Sequence, residues 1–193
     1  LLYSDPMKKL LFISAIILTA MHLQAQQSGS YFDSRDGKMY KTIIIGSQTW
    51  MAESLSLATD SGSWCYDDSN LNCIQFGRFY SFETAQNVCM EGWELPSKED
   101  YDTLLLYVGR NEHTLLALSS EGSSGFGVLF SGWHGEYSGS YNMGDHARFW
   151  TSTSKTKVNA WYIGMSQTQN TVNIEYDSKG LGLSVRCIRK RQQ

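Results

Sequence analysis

The chain has 193 residues, of which 41% are hydrophobic, 13% aromatic and 18% charged, with a formal net charge of −3 at pH 7. That length suits one domain with a substantial core, and the mildly acidic balance argues against nucleic acid or anionic lipid as partners, since both need a basic field. The only basic cluster, Arg186, Arg189, Lys190 and Arg191, reads as a solvated C-terminal tail.

The chain opens with the pattern of a secretory signal. Met7-Lys8-Lys9 is a basic start, Leu10 to Met21 is apolar except for Ser14 and Thr19, and Leu23-Gln24-Ala25 places a small residue at a cleavage position. Residues 1–25 are therefore expected to be removed after Ala25, with residues 1–6 lying ahead of a plausible initiator Met7. The apolar run is about twelve residues, short of the roughly 20 that a spanning helix needs. Nothing later is apolar enough to span, so the mature form is expected to be exported without a transmembrane segment. Residues 26–34 are polar and read as a linker, and residues 35–193 as a single domain.

Asp36-Gly37 is a hairpin signal. The stretch from Met39 to Ile45 favours a strand, Gly46-Ser47 turns the chain, and Gln48 to Met51 reads as a second short strand. Residues 55–77 look like loop. Phe79 to Val88 suits a helix ended by Cys89. Ser97 and Asp100 have capping-box spacing. Tyr101, Leu104, Leu105 and Val108 then form one apolar helix face, and Gly109 stands at the C-cap. From Gly122 onward, strand-like pieces alternate with Gly- and Ser-rich turns: Val128 to Phe130, Phe149 to Thr151, Ala160 to Met165, Val172 to Tyr176, and Leu183 to Ile188. Two helices with several short strands make an α+β domain.

An even set of four cysteines in an exported chain points to disulfides. Three pairings are open. Cys65 and Cys73 flank the turn-rich Asp67-Asp68-Ser69-Asn70, which favours closing that short loop and leaves Cys89 with Cys187. No close Cys pair of the kind that structural zinc uses is present. Asp67, Asp68, Asn70 and Asn72 cluster oxygens that suit a structural calcium, but without the glycine and terminal Glu of an EF-hand loop. Turn chemistry accounts for them, so no metal and no cofactor is expected.

A wider set of residues resembles a known family. Gly37 to Tyr40, Ile45-Gly46-Ser47-Gln48-Thr49-Trp50-Met51-Ala52-Glu53-Ser54-Leu55, Gly77-Arg78-Phe79-Tyr80-Ser81-Phe82, Cys89 to Ser97, Phe149 to Thr153 and Ser184-Val185-Arg186-Cys187 follow one another in its order. Together they resemble the Fibrobacter succinogenes major paralogous domain (FISUMP) family. Ser54, Met90, Glu94 and Phe130-Ser131 depart from its usual pattern. The resemblance implies an exported bacterial protein with a C-type-lectin-like domain, nearer the formylglycine-generating-enzyme version: two helices and mostly antiparallel short strands, stapled by disulfides. It also implies the Cys89–Cys187 pair, since such folds commonly tie a cysteine near the first helix to one near the C-terminus. Trp161 to Met165 looks like the core strand of lectins, and Trp50, Trp93 and Trp150 are expected in the core.

No nucleophile elbow, zinc-protease helix, phosphate loop or dinucleotide fingerprint occurs. The superfamily's catalytic relative uses a reactive cysteine pair, but Cys187 is expected to be half of a structural disulfide, so no catalytic residue is assigned. Gly132 to Asp145 instead has the Tyr, Trp, Ser, Gly and Asn composition of adaptable binding loops. Trp133, His134, Tyr137, Tyr141 and His146 are the candidate ligand-binding residues. The expected function is a secreted or cell-surface binding or adhesion module for a glycan or protein ligand. A structural component of the cell envelope is the alternative, and an exported enzyme with an unrecognised site is a third reading.

Overall fold

The structure is a computed structural model that describes residues 27–137 and 139–190. The expected signal segment lies outside the described residues.

The first departure comes at once. Ser28–Asp33, read above as linker, forms strand β1 and pairs antiparallel with β2 (Lys38–Ile45) from Ser28 opposite Ile43 to Asp33 opposite Lys38. Sequence polarity hid it because most of β1 faces solvent, with Tyr31 packing against Trp93 and Asp33 buried at its end. The turn between them uses Gly37 at φ 70°, a conformation that side chains oppose. Arg35 closes the turn by donating to the buried Asp33 carboxylate. β3 (Gln48–Met51) follows as expected.

Among the described residues the strands form three sheets. One is four-stranded in the order β1-β2-β3-β12, with β12 spanning Ile188–Lys190. The largest has the order β10-β9-β8-β11-β5-β4. Its members are β4 (Ser63–Trp64), β5 (Phe79–Tyr80), β8 (His146–Ser154), β9 (Asn159–Ser166), β10 (Thr171–Ser178) and β11 (Leu183–Ser184). Every pairing in it is antiparallel except β8 with β11. The third is a ribbon of β6 (Trp133–His134) and β7 (Ser140–Tyr141).

Among the described residues, four α-helices complete an α+β fold: α1 (Asn70–Phe76), α2 (Phe82–Ala85), α3 (Lys98–Val108) and α4 (Thr114–Leu118). α3 has the expected capping box, with Ser97 and Asp100 each bonding the other's backbone N–H. The helix expected over Phe79–Val88 shrinks to α2. Phe79 and Tyr80 are buried in the sheet against Ser184 and Leu183, and that burial outweighs local helix preference. α1 sits inside a stretch read as loop. Its Leu71 and Ile74 are exposed, so it carries no periodic apolar face, and Cys73 anchors it to the interior.

The large sheet is apolar on both faces. On β8 and β9, Trp150 and Tyr162 point to one cluster with Tyr40, Met51, Leu55, Tyr80 and Trp93. Phe149, Ile163 and Met165 point to the other, beneath Leu104 and Leu105 of α3 and Leu115 and Leu118 of α4. Trp50, Trp93 and Trp150 are all buried.

The C-terminal segment joins the two larger sheets. Leu183 to Ile188, expected as one strand, divides into β11 in the six-stranded sheet and β12 in the four-stranded one. Arg186, expected in a solvated tail, lies between them and is fully buried. Its two Nη groups donate to the carbonyl oxygens of Phe126 and Gly127, and its guanidinium lies 4.3 Å from the Phe126 ring centre. Burial lowers its pKa to about 10, which still leaves it charged at neutral pH. The disulfides join Cys65 to Cys73 and Cys89 to Cys187, eight and 98 residues apart. The second ties the end of the α2 region to this buried crossover.

Candidate functional site

The described residues of the expected binding loop pair as a hairpin. β6 and β7 pair Trp133 with Tyr141 and His134 with Ser140, and the Gly135 N–H closes the tip on the Gly139 carbonyl. Gly132 enters the hairpin at φ 75°, and a Cβ there would run into the carbonyl oxygen of Tyr141. Only glycine fits that entry.

The base of the hairpin is held on several sides. His134 exchanges two backbone hydrogen bonds of 2.9 Å with Gly182, and its ring stacks on Trp64 at 4.6 Å and 11°. The backbone N–H of Asp67, within the short disulfide loop, donates to Ser140 Oγ at 3.0 Å. Asp67 and Asp68 both stand at positive φ, the left-handed geometry of a tight turn. Glu136 accepts from Ser178 Oγ at 2.8 Å. Among the described residues, no group of three His, Cys, Asp or Glu side chains could hold a metal ion.

The five candidate side chains separate into three settings. Trp133, Tyr141 and His146 come together. The Trp133 and Tyr141 rings stack at 6.0 Å and 29°, and His146 meets Trp133 edge-on at 5.5 Å. Trp133 is half-buried against the core, and the Arg148 guanidinium lies over its ring. His134 points to the other side of the ribbon, onto Trp64, with Nδ1 buried and unpaired. Tyr137 stands at the tip with 93% of its surface exposed, and Tyr141 is 47% exposed.

His146 is oriented by its neighbours. Its Nδ1 lies 2.9 Å from Asp145 Oδ2 and 3.3 Å from Asn142 Nδ2. The backbone N–H of Thr168, 2.7 Å from Asp145 Oδ1, holds the Asp145 carboxyl below its ordinary range. The arrangement offers aromatic surface, an imidazole and backbone groups on a rigid base.

Residues 43–189 match the Fibrobacter succinogenes major domain. The chain belongs to that family. The match covers the hairpin, all four helices and all four cysteines of this Fibrobacter succinogenes major domain, and it leaves out β1 and the first five residues of β2. No curated protein and no solved structure matches the chain.

Sequence reasoning missed three members of this site: Trp64, Arg148 and Gly182. Trp64 sits beside Cys65 with no pattern of its own. Arg148 carried one usable signal, since it alternates with buried Ala147 and Phe149 along β8, as a residue on the opposite face of a strand does.

Proposed function

We propose that this protein is a non-catalytic binding or adhesion module, exported to the cell surface or beyond, that recognises a glycan or protein ligand through the Trp133–Tyr141 hairpin. The observation that carries the reading is Tyr137, a nearly fully exposed aromatic at the tip of a hairpin whose base is locked by stacking and hydrogen bonds. An exposed tyrosine contributes contact area at little entropic cost, because it has only two side-chain torsions to fix. Export is supported by two disulfides, which persist in oxidising compartments. No helix among the described residues is long and apolar enough to cross a membrane. The Cys89–Cys187 tie between the first helices and the C-terminal strands supports a C-type-lectin-like fold.

The test is a screen of the protein against immobilised glycans and surface-protein extracts, repeated with Tyr137→Ala and Tyr141→Ala. The proposal expects at least one ligand found in the screen to be lost by both variants while the melting temperature holds. A set of ligands that all bind both variants as well as the parent would overturn the hairpin as the recognition site.

A further inference from the structure

A second aromatic cluster lies on the α3 face of the six-stranded sheet, away from the face that Arg148 and Trp133 occupy. Trp161 on β9 is directly opposite Tyr176 on β10, and the two rings meet edge-on at 5.3 Å. Lys155, in the turn between β8 and β9, places its ammonium 4.9 Å from the Trp161 ring centre and 5.3 Å from that of Tyr176. Lys98, at the start of α3, reaches the same Trp161 ring at 5.7 Å. Tyr176 is 52% exposed, and Lys155, Lys157 and Val158 of the turn between β8 and β9 are exposed.

The charges around this cluster are sorted by strand alternation. Glu175 and Asp177 flank Tyr176 in sequence but point to the opposite face of β10. There Glu175 accepts from the Tyr162 hydroxyl at 2.7 Å, and Asp177 pairs with Arg148 at 3.4 Å. Lys98 is held by Asp102 at 3.0 Å. Lys155 makes no ion pair with a carboxylate among the described residues. An acidic chain thus presents a positive, aromatic face at one end of its largest sheet, with an ammonium fixed over two rings rather than neutralised.

We infer that the Trp161, Tyr176 and Lys155 face is a subsite for an anionic saccharide. The apolar face of a sugar ring packs on the exposed Tyr176 ring, and its carboxylate or sulfate group meets the Lys155 ammonium. Lys157 adds to the local field, and Trp161 backs the site from within the sheet. Aromatic surface supplies the contact area and the lysine supplies discrimination by charge.

The experiment titrates the protein with a heparin-derived tetrasaccharide, a tetragalacturonate, a neutral dextran oligosaccharide and inorganic sulfate, following tryptophan fluorescence and calorimetry at low salt. Saturable binding of the sulfated or the carboxylated oligosaccharide is expected. Lys155→Ala and Tyr176→Ala should each weaken it by about tenfold or more, the scale of one lost cation or one lost stacked ring. Lys155→Arg should retain most of it, which separates loss of charge from loss of fold. Tyr137→Ala should leave it unchanged, so failure here is distinguishable from failure of the hairpin proposal. The inference is overturned if neither anionic oligosaccharide binds or if dextran binds as well. Inorganic sulfate matching the oligosaccharides in affinity, or binding that survives Lys155→Ala, would overturn it as well.

Discussion

The guanidinium of Arg148 lies 3.7 Å from the centre of the Trp133 ring. One face of the indole is thereby occupied, and the remainder of the ring packs against Tyr141, His146 and the core. Trp133 is thus a pillar beneath the hairpin, and the exposed tip belongs to Tyr137. Trp133→Ala should cost about 2 to 3 kcal/mol in urea unfolding, less than a fully buried aromatic because the site is half-open. Tyr137→Ala should stay within about 0.5 kcal/mol, as for an exposed side chain. Equal losses for the two variants would contradict this division.

Arg186 satisfies the carbonyls of Phe126 and Gly127 from a fully buried position. Truncation removes both donors and opens a cavity between Phe126 and Phe149. Arg186→Ala should therefore cost about 3 to 5 kcal/mol, combining two stranded acceptors with lost packing. Denaturant unfolding measures it, and a loss under about 1 kcal/mol would mean that the loop finds other partners.

What the sequence made legible follows from how local each cause is. The helix α3 was readable because its cap, its apolar face and its terminating glycine all lie within Ser97 to Gly109. The turn at Asp36-Gly37 and strands β2, β3, β8 and β9 were readable for the same reason. β1 was not, because a polar strand is defined only by the partner it pairs with. The split of Leu183 to Ile188 depends on β5 and β3, which lie about a hundred residues or more earlier in the chain. Arg186 looked like part of a basic tail because charge suggests solvent, and only the carbonyls at Phe126 and Gly127 reveal its role. At the hairpin, composition located the aromatic residues. Which of them face outward depends on Trp64 and Arg148, residues far away in sequence.

Asp33 is only 2% exposed and accepts three hydrogen bonds from the Arg35 side chain, between Nε and Nη2. The Arg35 bonds hold its carboxyl below the ordinary value against the opposing effect of burial. A carboxyl whose folded pKa is depressed contributes stability above the unfolded value of about 3.9 and loses it as the pH falls through the folded value. Melting temperatures between about pH 2 and 5 should therefore fall with acid, and Asp33→Asn should flatten that slope while lowering stability at neutral pH. An unchanged slope in the variant would remove Asp33 as its source.

The Cys89–Cys187 bridge closes a separation of 98 residues and fixes the crossover between the two larger sheets. Chain-entropy estimates give roughly 4 to 5 kcal/mol for a loop of that length and about 2.5 for the Cys65–Cys73 loop. The double variant Cys89→Ser with Cys187→Ser should be the more destabilised of the two bridge deletions in chemical unfolding. The reverse order would show that the short loop carries more native contacts than its length suggests.

Gly182 decides whether the hairpin sits on its base. A Cβ at this position would fall 2.9 Å from His134 Cβ, 2.9 Å from Trp64 Cε3 and 3.2 Å from Phe79 Cβ. Those three side chains come from β6, β4 and β5, so a methyl group there cannot be accommodated by one rotamer change. The shortest path to relief moves His134, which is also bonded to Gly182 through both backbone groups. Gly182→Ala should therefore lift β6 off the Trp64 ring and loosen the hairpin, at a cost of about 1 to 3 kcal/mol, the range for an added methyl in a packed interior. Hydrogen exchange gives the direct readout: the His134 and Gly182 amides should lose protection, while Ile163 in the core of β9 retains it. Under the proposed function, hairpin ligands should bind this variant more weakly even though Tyr137 and Tyr141 are intact. Retained protection at His134 would show that the backbone relaxes around the methyl group and that the close approach of Gly182 is not required.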